Sequence, residues 1–374
     1  MSWRFHAFTL HGDGTETPLA WDIPLMGVSI TDSLSGPGQL DATLKPELSA
    51  YQSRGASIFK PWSTAIYAEY GGAIHGGFIV ADASVDAETL TITCPGFRAY
   101  WTGLPHVGEF RGIKVDPLNV LRDHIIGHAQ KQPGGNLGLT VDKTTSPVRI
   151  GTESKEVSFT TKTGEDVNFE SGPHVLAWWN TDDLGKEWDD LAEETPFDYH
   201  IRHRWDGDRV RHHVKLGYPT LGTRRHNLRF VVGENIVSEL ALENKGEDYA
   251  SEILALGSGE GSGMIHAVAQ TSKRDRLRRV RVVSDKSMQS KKRATAVAEA
   301  ELRLSQGVSQ VVDVKVRDHA NAVFGTWDVG DEIKIDSRSV PWVGEFSQWV
   351  RVVSQTWDVD HDEMTLTVQK VGAI

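Results

Sequence analysis

Apolar and polar side chains alternate through both ends of this chain, and a period of two fits an extended strand with one face on a core and the other in water. The pattern runs through WRFHAFTL, PLMGVSITDSL, LDATLKPEL, STAIYAEYGG and IHGGFIVADASVDAETLTITC in residues 1–100. It returns in VVDVKVRD, GDEIKIDSRS, FSQWVRVVSQTWDVD and EMTLTVQKV between residues 311 and 371. Turn chemistry separates the runs: Ser35-Gly36-Pro37-Gly38 reverses the chain, Gly71-Gly72 closes a hairpin, and Ala83 to Glu88 parts two further runs. The spacing predicts one small antiparallel β-barrel over residues 1–104. A second is expected over 236–374, with a helix at 287–306 in the Ala-rich run around Ala294, Val297, Ala298 and Leu302.

Residues 105–235 change character and read as an α+β insertion, so the fold class is mainly β with a mixed middle domain. Asp116 is placed to cap a helix and Pro117 suits its first position. Leu118, Leu121, Ile125 and Ile126 then recur on one face until Pro133-Gly134-Gly135 stops it near residue 132. A second helix at 183–195 has Leu184, Trp188, Leu191 and Ala192 on one stripe, an Asp182-Asp183 start and Pro196 at its end. After it, FDYHIRHRW and RVRHHVKLGYP flank Asp206-Gly207-Asp208 as a two-stranded ribbon.

With 374 residues there is room for two to four domains, and 24% charged against 39% hydrophobic residues is an ordinary globular balance. Cys94 is the sole cysteine, which excludes an intrachain disulfide and a Cys-rich metal site and suits a reducing compartment. The apolar run HVLAWW falls short of the roughly 18 residues needed to cross a bilayer, and the first residues lack a charged-then-apolar signal pattern. The net charge of -11 argues against wholesale binding of a polyanion.

That charge is segregated. Residues 272–293 hold ten basic side chains against Asp275 and Asp285, a local +8. Residues 182–198 hold eight acids against Lys186, a local -7. Opposed patches of this kind set register and encounter rate between copies or neighbours, while the plainer alternative is two solvated faces. The candidate intersubunit residues are Lys273, Arg274, Arg276, Arg278, Arg279 and Arg281 on one side and Asp189, Asp190, Glu193 and Glu194 on the other. The basic run has no aromatics for base stacking, which weakens a nucleic-acid reading.

No pattern of residues carries catalysis. Gly257 to Gly263 has spaced glycines, yet Met264-Ile265-His266-Ala267-Val268 continues as a strand and Glu260 would repel a phosphate, so a hairpin loop is expected. His200, His203, His212 and His213 gather on the ribbon, but alternation lets at most two share a face, and no metal is assigned. HExxH and G-x-S-x-G are absent. No cofactor is implied. Twelve tryptophans, among them Trp178, Trp179, Trp188, Trp327, Trp342, Trp349 and Trp357, suit core and intersubunit filling or a sugar-stacking platform.

The string DPLNVLRDHIIGHAQKQPGGNLG from Asp116 to Gly138 resembles a helix shared by minor tail proteins of long-tailed phages that infect actinobacteria. SLSGPGQLDATL, CPGFRAYW and the LGSGEG turn at Leu256 to Gly261 are similar to segments of the same tail-tip hub proteins. The resemblance implies two hub-type barrels per chain and a homotrimer, which presents a pseudo-sixfold ring to the tail tube. It further implies a structural protein without enzymatic activity, made in the host bacterial cytoplasm and placed at the virion's tail tip. Its partners would be the distal tail protein, the tail tube, the tape measure protein and other tail-tip or receptor-binding proteins. Genome DNA would pass through the lumen without sequence recognition, and there would be no membrane anchor. The alternatives are a host-surface carbohydrate-binding tail protein, a hexameric distal tail ring protein and, against the missing motifs, a peptidoglycan-active enzyme.

Overall fold

The computed structural model describes residues 2–45, 58–86, 89–153, 155–160, 166–195, 197–238, 240, 242–244, 246–247, 249–259, 261–273, 276–284, 288, 290–305, 309–340 and 344–371. The chain is mainly β, 47% strand and 15% helix. It divides into two compact units, residues 1–221 with 356–361, and residues 222–355 with 362–374. The first unit therefore gathers most of the expected middle domain together with the N-terminal strands.

In the first unit, β1 (Trp3–Leu10), β2 (Glu16–Ala20), β5 (Thr64–Tyr70) and β6 (Ala73–Ile79) form a sheet in the order β2-β1-β5-β6. Every residue of β5 is buried, because this central strand is covered on both faces. The Gly71-Gly72 turn joins β5 to β6, both glycines at positive φ as a tight hairpin requires. A second antiparallel set contains β3 (Met26–Ser33), β4 (Gln39–Leu44), β7 (Asp82–Asp86) and β8 (Thr89–Pro95). The run from Ala83, expected to be a separator, is mostly strand β7 paired with β8. The two sheets meet at a single bridge, Phe78 to Gly96, and among the described residues no sheet closes on itself. The closed barrels expected from alternation are therefore not seen. Alternation states which face is buried, whereas closure depends on how edge strands pair, which that period does not encode.

The helix at 117–131, α1, begins as the sequence indicates. Buried Asp116 accepts hydrogen bonds from the Leu118 N–H at 3.0 Å and from the Ser146 N–H and hydroxyl at 2.8 and 2.9 Å. Val120–Ile126 is π-helical, with the Gly127 N–H bonded to the Arg122 carbonyl five residues back. The widened turn brings Leu118, Val120, Leu121, Ile125 and Ile126 together into one core. Two short strands flank α1: β9 (Glu109–Gly112) pairs later in the chain, and β10 (Leu139–Val141) runs parallel to the ribbon. There follow the hairpin β11 (Lys155–Thr160) and β12 (Asp166–Ser171), then β13 (His174–Ala177) paired with β9. Helix α2 (Leu184–Glu194) and the ribbon β14 (Asp198–Asp206) and β15 (Arg209–Gly217) complete the unit, and Trp101, Trp188 and Tyr199 lie in its interior.

The second unit starts with β16 (Phe230–Val231), β17 (Leu242–Asn244), β18 (Glu252–Leu256), β19 (His266–Gln270) and β20 (Val280–Ser284). Helix α3 (Lys291–Ser305), β21 (Ser309–Val311), β22 (Asp313–Arg317), β23 (Glu332–Val340), β24 (Gly344–Asp358, whose end from Thr356 belongs to the first unit) and β25 (Glu363–Lys370) follow. Its long C-terminal strands form an antiparallel ladder in which β23 pairs β24, and β25 pairs β22. Separately, β18 to β20 make a three-stranded sheet, order β19-β18-β20, on which α3 packs. The expected helix at 287–306 thus begins at Lys291. Ile253, Ala255, Ala267 and Ala269 face Ala294 and Ala298 in this small core, where alanine lets helix and sheet approach closely.

Candidate intersubunit surfaces

In the first unit α2 carries the acidic pole. Asp183 caps it by accepting from the Lys186 N–H at 3.0 Å, and Leu184, Trp188 and Leu191 are buried. Asp182, Lys186, Asp189 and Glu193 follow one another at helical spacing along the outer face, and all four are exposed. Asp189 is partly committed within the unit: it pairs with Arg98 at 2.6 Å and accepts from the Tyr199 hydroxyl at 3.2 Å. Asp190 lies 3.9 Å from Lys186 one turn earlier, a weak exposed pair. The side chain of Glu194 lies outside the described residues.

Just before α2, at the end of β13, the chain presents Trp178 and Trp179, 68% and 51% exposed and packed edge to face with centroids 5.3 Å apart. The Trp178 N–H bonds to the Gly108 carbonyl, in the stretch just before β9 that also carries exposed Val107. Two bare indoles side by side form an apolar projection of the type that marks a contact surface.

The second unit carries the basic pole. Lys273 and Arg279 are exposed. Arg276 stacks over the Tyr249 ring at 4.9 Å, Arg278 pairs with Glu252 at 2.8 Å, and Arg281 lies 3.7 Å from Glu301. Arg274 and Lys286 lie outside the described residues. The cluster continues into the first turn of α3, where Lys291, Lys292 and Arg293 sit at the end that favours anions, against the helix dipole. Placing cations there costs stability locally, a sign that the charge serves something other than this helix.

Sequence reasoning missed the far side of the β18–β20 sheet. Its inner residues meet α3, but Leu254 of β18 is flanked in register by Val268 of β19 and Val282 of β20 on the other face. Val268 and Val282 are 47% and 53% exposed, and Val280 is also exposed. The signal is legible in EILAL, where both alternating sets are apolar, as in a strand covered on two sides.

Of the four ribbon histidines, His203 and His212 converge, while His200 meets Asp32 and His213 meets Asp142, each at 2.9 Å. His203 Nδ1 and His212 Nδ1 are 2.8 Å apart, a hydrogen bond shorter than the roughly 3.3 Å between two nitrogens on one tetrahedral zinc. His212 Nε2 lies 2.7 Å from Glu16, which also accepts from the buried Tyr67 hydroxyl at 2.6 Å. These contacts hold the ribbon to β2 and β5. Burial, helped by the charges of His212 and His200, holds the His203 pKa well below its ordinary value. Burial likewise lowers His6, His106, His124, His128 and His174.

A histidine whose folded pKa is depressed contributes stability that is complete above its unfolded pKa of about 6.5 and is lost as pH falls below it. Thermal unfolding of the chain is expected to be level above about pH 7 and to shift to lower temperature from about pH 6.5 to 5, before most carboxylates titrate. His203→Gln should make that fall shallower. A melting temperature unchanged over this window contradicts the lowered pKa values of these imidazoles.

The glycine run forms the β18–β19 hairpin. The Gly257 N–H donates to the Ile265 carbonyl and the Ser258 N–H to the Met288 carbonyl, and a strand follows. Glu260 lies outside the described residues. Among the described residues no helix is long and apolar enough to cross a membrane.

No protein-family model and no curated protein sequence matches this chain. Its fold does match solved structures over nearly its full length. The 43 kDa tail protein of prophage MuSo2 from Shewanella oneidensis aligns with a TM-score of 0.56 at 14% identity, covering 98% of each chain. Prophage tail protein gp18 from Listeria monocytogenes EGD-e aligns at 0.56 and 12% identity, covering 98% of this chain and 95% of that one. The tail protein from Neisseria meningitidis MC58 aligns at 0.55 and 11% identity, covering 99% and 97%. The chain therefore has the fold of phage tail proteins.

Proposed function

We propose that this chain is a structural, non-enzymatic protein of a phage virion, the hub at the tail tip, acting as a homotrimer that caps the tail tube and organises the tip for attachment and DNA ejection. The observation that carries the reading is end-to-end fold similarity to three tail proteins, from Shewanella, Listeria and Neisseria, with 95–98% of each of those chains covered. The Asp116 to Gly138 string, which resembles a helix of minor tail proteins from such phages, supports a long-tailed phage of an actinobacterial host within this reading. In this reading residues 1–104 and 236–374 are the two tube-type β domains and 105–235 is an insertion between them. Three copies joined head to tail close a ring, because a heterologous contact with a threefold rotation returns to its start. The distal tail protein, tube, tape measure and receptor-binding proteins are its neighbours, and DNA passes without sequence recognition.

A tagged copy in assembled virions should be found by electron microscopy at the distal end of the tail. Label along the tube or on the capsid contradicts the reading. Exposed Trp178 and Trp179 also favour a second reading, a tail protein that stacks host-surface sugars on its indoles. Saturable glycan binding lost in Trp178→Ala would decide for it.

A further inference from the structure

The uncovered face of the β18–β20 sheet and the acidic α2 region differ in kind and match in chemistry. The first is apolar at Leu254, Val268, Val280 and Val282, and cations at Lys273 and Arg279 are exposed on the same small domain. The second is apolar at Trp178 and Trp179, and exposed acids follow at Asp182, just before α2, and at Asp189 and Glu193 on it. We propose that these two surfaces are the two sides of one contact between copies of this chain: the indole pair and α2 of one copy cover the valine face of the next, with acids opposite bases.

The argument rests on the hub reading only for the number of copies. Charge complementarity selects a second copy as the occupant, because the segments carry +8 and -7 within a single sequence. Matched apolar centres with charged surrounds are how protein contacts combine affinity with register. The two faces are different patches, so the contact is heterologous and, with the threefold rotation of the hub reading, closes head to tail into a ring.

The test uses the full chain and five variants in size exclusion with light scattering, at low and at high salt. Lys273→Glu with Arg279→Glu reverses one side, and Asp182→Lys with Glu193→Lys reverses the other, all at exposed positions. Each pair alone should weaken association about tenfold or more, and the chain carrying all four should regain it. Val268→Thr with Val282→Thr keeps β-branched shape, adds polarity and should weaken association with little change in the monomer's melting temperature. Trp179→Ala should weaken it by about tenfold. A ring that forms and is indifferent to every variant overturns this contact and leaves the hub reading standing. Loss in both reversals without recovery in the combined chain also overturns it, since the patches then do not face each other. A chain that stays monomeric at about 100 µM overturns the contact and the self-assembling ring together.

Discussion

Trp188→Ala is expected to cost about 3–5 kcal/mol and to lower the melting temperature of the first unit by about 10 °C. The indole is fully buried between Trp101 at 5.5 Å and Tyr199 at 4.9 Å, and Arg98 lies over its ring at 5.3 Å. Alanine would empty the centre of the contact between α2 and the 97–101 segment and leave the Arg98 side chain, itself 4% exposed, beside a void. Trp188→Phe should cost much less. It keeps most of the ring area and removes an indole N–H that has no hydrogen-bond partner. If Ala and Phe variants melt together within about 2 °C, packing around this side chain is not what holds α2 in place.

Gly96→Ala should be nearly as damaging, by a different route. A Cβ at this position would sit 1.7 Å from the Pro37 carbonyl oxygen, a backbone atom that cannot rotate away. Gly96 also donates its N–H to the Gly38 carbonyl at 3.1 Å and bridges to Phe78, so the reversal after β3, the end of β8 and the edge of β6 all meet there. The expected loss is about 3 kcal/mol or more, read as a lower midpoint in denaturant. Gly246→Ala is the control, since its Cβ would meet nothing within 4 Å, and it should change stability by about 0.5 kcal/mol or less. Equal effects from the two variants would contradict the close approach at Gly96.

The sequence and the fold agree where local rules act alone. Asp116 and Pro117 start α1, Asp183 starts α2, Gly71-Gly72 turns β5 into β6, and Asp206 to Arg209 spans the ribbon turn. Where the outcome depends on distant partners the sequence falls short. The π segment of α1 answers to the core packed around it, and the open sheets reflect strand edges whose pairing lies far along the chain. The candidate surface was legible as charge but not as shape. Counting placed Asp189 on an acidic face, whereas its carboxylate meets Arg98, a residue 91 positions earlier, at 2.6 Å. Likewise Arg278 and Arg281 read as free cations in a basic run, yet each meets a glutamate on a neighbouring element. The valine face is not legible from charge, because β20 lies inside the basic run and its Val280 and Val282 alternate with Arg279 and Arg281.

The mass of the purified assembly tests the central claim most directly, by light scattering after size exclusion. The account predicts three times the chain mass of 41.3 kDa, falling toward one chain at high salt as the acidic and basic surfaces are screened. A mass of six chains would contradict the trimeric hub in favour of a hexameric tail ring.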